Sequence, residues 1–177
     1  AVPVINDVDF DGNLAQEQGG AIQVADLITS DLAFLSCTFS NNSCSLDGGA
    51  IHLRDCQSDL AVSSCDFSSN RAFSGGGGAI AASSVSTVTI TDCTLEDAVA
   101  WSSGGSIRLN AVDTAIIMTS AINRATTDSS GGGVWATGSD VLLEDVTFNG
   151  CVAAGSGGGA MFDSGLTFIR GGFFIGN

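Results

Sequence analysis

Two short motifs, F-x-x-N and G-G-A-I, come back about every 27 residues from one end of this chain to the other, and no other property limits the fold as strongly. The first position of F-x-x-N falls at Phe10, Phe39, Phe67, Leu95, Ile122, Phe148 and Phe174. The glycine pair falls at Gly19, Gly48, Gly77, Gly104, Gly132 and Gly158, so the spacings run from 26 to 29 residues. A period of this size with no helical pattern inside it means one supersecondary unit per repeat, each burying its apolar face only against its neighbours. The expectation is an elongated solenoid over residues 1–177, forming a single domain or a segment of a longer array.

Each unit reads as three short strands with turns between them. In the second unit these are Gly48–Leu53, Leu60–Val62 and Cys65–Phe67, which runs into a turn at Asn70. Alternation puts Ile51 and Leu53 on one face and His52 on the other. The column through Ile51 then reads Ile22, Ile51, Ile80, Ile107, Trp135 and Met161, apolar in every coil. The column through His52 reads Gln23, His52, Ala81, Arg108, Ala136 and Phe162 and mostly faces outward. The second strand contributes Leu32 and Phe34, Leu60 and Val62, Val88 and Ile90, Ala115 and Ile117, and Val141 and Leu143 to the same interior. Three sides with parallel stacking describe an all-β, right-handed parallel β-helix of about six coils without a capping helix. The hand follows from the preference of parallel crossovers.

Turn chemistry fits this fold. The glycine pair supplies positive φ or close approach to the next coil. The turn column Asn13, Asn42, Asn70, Ala98, Ala125, Cys151 and Asn177 places asparagines where a side-chain amide can tolerate a left-handed turn and bond backbone across coils. Asn13, Asn42, Asn70 and Asn177 therefore form a structural ladder that lapses in the middle.

The net charge of −14 rests on five scattered arginines and no lysine, which argues against a nucleic-acid partner. The absence of a long apolar run argues against a membrane span. No signal peptide is visible. The six cysteines follow the repeat register. Cys37, Cys65 and Cys93 share a column with Ser120, Val146 and Gly172, Cys44 aligns with Ala15 and Ala154, and Cys56 aligns with Leu27, Val85 and Val112. Two readings stand: buried free thiols acting as small hydrophobes, or a bridge between stacked coils such as Cys37 to Cys65.

F-x-x-N alternating with G-G-A-[ILV] resembles the repeats of the chlamydial polymorphic outer membrane proteins and of related repeat-rich surface proteins, over essentially the whole chain. The resemblance implies a parallel β-helix passenger at a cell surface with an adhesive or structural duty and no enzymatic activity. Host-surface or matrix glycans and proteins are further expected partners. The pattern degenerates at Leu95–Ala98 and Ile122–Ala125, and the membrane barrel of autotransporters has no counterpart here.

Candidate chemistry is sparse. Asp7, Asp9 and Asp11 within D-x-D-x-D-G open like a calcium loop, although the twelfth position is Gln18 and Phe10 belongs to the core. No other cofactor is expected. Asn41 begins the sequon Asn41-Asn42-Ser43, an N-glycosylation acceptor on an exposed turn. Asp92, Glu96 and Asp97 with Arg124 form the densest acidic grouping, the place to seek a polysaccharide-cleaving site. Asp31, Asp59 and Asp140 read as turn caps, and His52 reads as a surface residue. No catalytic residue is assigned. The expected protein is a non-enzymatic extracellular or cell-surface filament, stalk or coat segment. The first and last dozen residues share one phase of the repeat, so its partner would be itself, head to tail. The alternative is a carbohydrate-binding or polysaccharide-cleaving β-helix.

Overall fold

The computed structural model describes residues 2–26 and 31–177. All regular structure among them is β, stacked in parallel as a solenoid of about six turns. Three sheets of ten, seven and six strands run the length of the stack. The seven-stranded sheet holds the F-x-x-N positions, with Phe10, Phe39, Phe67, Leu95, Ile122, Phe148 and Phe174 in unbroken register. Phe39 is fully buried, with its ring stacked between Phe10 and Phe67 at 4.7 Å on each side. That separation matches the roughly 4.8 Å spacing of hydrogen-bonded strands, so ladder and aromatic column reinforce one another.

The first two expected strands are one. Ile51–Ser63 and Ile80–Thr91 run continuously through the ten-stranded sheet, bent by a left-handed residue, Asp55 or Ser84, without losing the ladder. An extra residue in the second coil is absorbed as a bulge opposite Ser86, between the pairs Val85–Cys56 and Thr87–Asp59. The inward positions of the second strand stack as the alternation requires, with Leu32, Leu60, Val88, Ala115 and Val141 in line. The turn after each F-x-x-N contains a further two-residue strand, Arg71–Ala72 and Val99–Ala100 for example, and these build the six-stranded sheet.

Each interior coil turns on four left-handed residues. In the third these are Ser84, Asp92, Asp97 and Gly104, with φ of 54°, 54°, 53° and 69°. Aspartate, serine and asparagine fill most of the non-glycine corners, because a short polar side chain reduces the cost of that conformation. The asparagine turn differs from expectation in one respect. The left-handed residue is the one before the ladder position, namely Gly12, Asn41, Ser69, Asp97, Arg124, Gly150 and Gly176.

Register in coils five and six is one residue earlier than the motif suggests. Val134 and Ala160 continue the Ile51 column, while Trp135 and Met161 continue the His52 column. The left-handed glycines are Gly131 and Gly157, so the glycine pairs start there and not at Gly132 and Gly158. The cause is the third glycine. Gly133 stands where Ala50 and Ala79 stand in earlier coils, and a Cβ on it would lie 2.7 Å from Phe148 Cδ1. The same slip makes Ala153, not Ala154, the counterpart of Cys44, through Ala72, Ala100 and Thr127. Val85 and Val112 do align with Cys56, and Leu27 lies outside the described residues.

Candidate functional site

The two end faces are cross-sections of the core. At one end Phe174 stacks on Phe148 at 4.6 Å and is 49% exposed, whereas Phe39 and Phe67 inside the stack are buried. Phe173, Ile175, Phe168 and Ile169 of the same coil are exposed. At the other end Val4 and Leu14 are exposed, and Phe10 has a stacking partner only in Phe39 among the Phe-column residues. The terminal strands Val4–Asn6, Asp9–Asp11 and Phe173–Ile175 each pair on one side.

Asp9 and Asp11 flank inward-facing Phe10 on one extended strand and are both exposed. Thr38 Oγ1 donates to Asp9, while Ser40 Oγ and Asn41 Nδ2 donate to Asp11 Oδ1 at 2.8 and 2.9 Å. The Asn41 and Ser40 bonds hold the Asp11 carboxyl below its ordinary pKa. Asp7 occupies the preceding left-handed corner. A calcium loop wraps its carboxylates around one point. Here extended backbone spreads them along a wall, and no group of three candidate ligands converges among the described residues. Asn41 is exposed at its turn, with its amide turned toward Asp11.

The ladder asparagines are held in a specific arrangement. Asn42 Oδ1 accepts the Asn13 N–H at 3.0 Å and its Nδ2 donates to the Phe10 carbonyl at 2.8 Å. Asn70 repeats this on Asn42 and Phe39, and Asn177 repeats it on Cys151 and Phe148. Each side chain thus ties up one donor and one acceptor of the coil before it. At Cys151 a thiol takes over, donating to the Ile122 carbonyl at 3.3 Å.

Of the acidic grouping, Glu96, Asp97 and Arg124 meet. Arg124 Nε and Nη2 donate to Asp97 at 2.8 and 2.9 Å, and Nη2 also reaches Glu96. The hydrogen bonds to Asp97 and then Glu96 raise the guanidinium pKa further above its ordinary value. The pair lies open on the wall, and Asp92 sits apart at a corner. Asp31 and Asp140 cap turns by accepting the N–H of Asp59 and of Leu166. All six cysteines are buried free thiols. Cys37 N–H donates to Cys65 Sγ at 3.3 Å, and burial pushes the Cys44 thiol up to about 11.

His52 is not a surface residue. It is 1% exposed, and its Nδ1 has no hydrogen-bond partner among the described residues. Small Ala81 lies between it and Arg108 in the register. Arg108 reaches along the axis to Asp47 at 3.0 Å, while Gly76 N–H donates to the same carboxylate oxygen at 2.8 Å. Arg108 also lies over the Trp135 ring at 5.6 Å. Burial lowers the His52 pKa, with Asp47 opposing and Arg54 and Arg108 assisting. Only the spacing of Asp47 and Arg108 around a small residue hinted at this cluster.

These features define a parallel β-solenoid with a polar outer wall. Residues 7–25, 36–54 and 64–83 match the model of the Chlamydia polymorphic membrane protein repeat, the family that the two motifs resemble. Each matched stretch keeps both Phe and Asn, and the matches stop before Leu95 and Ala98 replace them. Neither a curated protein nor a solved structure matches the chain.

Proposed function

We propose that the chain is a non-enzymatic structural and adhesive β-helix segment of a cell surface or extracellular layer, able to stack end to end with its own kind. The observation that carries this reading is the relation between Phe10 and Phe174. They end one register column, and each has a stacked ring of the column on one side, Phe39 and Phe148 respectively. A second copy placed with Phe10 over Phe174 would continue ring stacking and would pair Asp9–Asp11 with Phe173–Ile175 and Val4–Asn6 with Thr167–Arg170, a heterologous contact that repeats without closing. The match to a membrane-protein repeat supports the surface location. Engagement of Glu96 and Asp97 by Arg124 gives those carboxylates a structural occupation and favours the non-enzymatic reading over polysaccharide cleavage.

Negative-stain electron microscopy with light scattering tests the assembly. Thin fibres for the unaltered chain, and short rods for Phe174→Asp that keep the circular-dichroism signature of the β-solenoid, are the expected pair of results. Short rods from both would overturn end-to-end stacking.

A further inference from the structure

In the interior coils nearly every aromatic side chain is drawn into the core or packed on the wall, and two are not. Phe73 is 46% exposed and Trp101 is 63% exposed. Both follow directly on strands of the six-stranded sheet, and the pairing of Arg71–Ala72 with Val99–Ala100 and of these with Thr126–Thr127 puts Phe73, Trp101 and Asp128 at equivalent positions of successive coils. The neighbouring coils carry Ser45 and Ala154 there, so the aromatics are confined to two adjacent coils. Strand spacing sets them about 4.8 Å apart along the axis. Folding gains little from either ring, and adjacent exposed aromatics on a polar wall mark a binding surface.

The surface between them is concave. A hollow of about 160 Å³ is floored by buried Ala72, Ala100 and Thr127 and rimmed by Arg71, Phe73, Trp101 and Asp128. The Arg71 guanidinium lies over the Phe73 ring at 4.7 Å from its centroid, a cation–π contact that fixes both side chains. The rim therefore offers apolar ring faces, a fixed hydrogen-bond donor and a carboxylate acceptor. Sites for drug-sized ligands enclose roughly 300 to 1,000 Å³, so this one suits a single ring.

We infer that the Arg71–Phe73–Trp101–Asp128 hollow binds one neutral pyranose residue of a glycan. A pyranose has a C–H face that packs on an aromatic ring and an equatorial edge of hydroxyls that both donate and accept, and this rim complements both. Neutrality follows from charge. The lining holds one cation, Arg71, and one anion, Asp128, and a net charge of −14 repels sulfated or carboxylated sugars. The inference goes beyond end-to-end stacking and does not depend on it, because the hollow lies on the side wall and needs no second copy.

Isothermal titration and tryptophan fluorescence of the unaltered chain with methyl β-glucopyranoside, chitobiose and lactose, against glucuronate and a sulfated disaccharide, form the test. The expected result is saturable binding of at least one neutral sugar, about tenfold weaker in Trp101→Ala and in Asp128→Asn, with the melting temperature unchanged in both. Immobilised neutral polysaccharide and an immobilised high-mannose glycoprotein, run as parallel arms, separate a matrix source from a protein-borne one. No saturable response to any neutral sugar, equal binding by Trp101→Ala, or preference for the acidic sugars would overturn the assignment. Loss of fibres with sugar binding intact would count only against stacking.

Discussion

Asn42 gives its backbone N–H to the side-chain oxygen of Asn70, 28 residues away, at 3.0 Å. The same Asn70 side chain donates to the Phe39 carbonyl at 2.8 Å, so one buried amide satisfies both backbone groups that its turn would otherwise strand. A turn column is thereby converted into an axial cross-link, and its gaps fall where alanine replaces asparagine.

Asn70→Ala removes both bonds inside a buried turn and should destabilise the fold by about 2 to 4 kcal/mol, measured by urea unfolding. The natural gaps carry the same logic. Ala98 and Ala125 offer no acceptor to the Asn70 and Ala98 amides, which should exchange hydrogen faster than the amides of Asn42 and Cys151. Equal protection would remove the ladder from the account of stability.

His52 links the fold to pH. Burial holds its folded-state pKa below the ordinary 6.5, so the unfolded chain takes up a proton that the folded chain refuses. The associated stability is present above pH 6.5 and is lost as pH falls toward the folded-state value. Asp47 and Asp55 favour the charged ring, and Arg54 and Arg108 oppose it. Between about pH 7.5 and about pH 5 the melting temperature of the native chain should fall more than that of His52→Gln. Parallel falls would show that other carboxylates carry the whole acid response.

The third glycine of the GGG motif should tolerate nothing larger. A Cβ on Gly133 would lie 2.6 Å from the Gly159 carbonyl oxygen and 2.7 Å from the Phe148 ring. Gly133→Ala is expected to cost about 1 to 3 kcal/mol, although alanine is the residue at this position in the second and third coils. Calorimetry of that variant checks the register directly.

The thiols should be silent in the folded state. All six cysteines are buried, so a thiol reagent at neutral pH should label none of them quickly and all six after denaturation. Rapid labelling of any one would place it at the surface.

Much of this was legible in the sequence because a repeat reports on itself. The Phe column, the inward positions of the second strand and the columns of Cys37 and Cys56 were readable from period and alternation, since each coil must present the same face to the next. The merger of two expected strands was not readable. A left-handed Asp55 bends the chain while its ladder continues, and local composition there looks like a turn.

The sequence by itself determined the period, the parallel stacking and the inward positions of the Phe column and of the second strand, because side-chain alternation and recurrence are covalent facts. The tertiary structure alone decided three things. It chose among three consecutive glycines, which a motif cannot separate and the Phe148 ring can. It buried His52, in the register column where Arg108 spans Ala81 to reach Asp47. It set Phe73 beside Trp101, residues of different repeats whose proximity exists only once coils are stacked one strand apart.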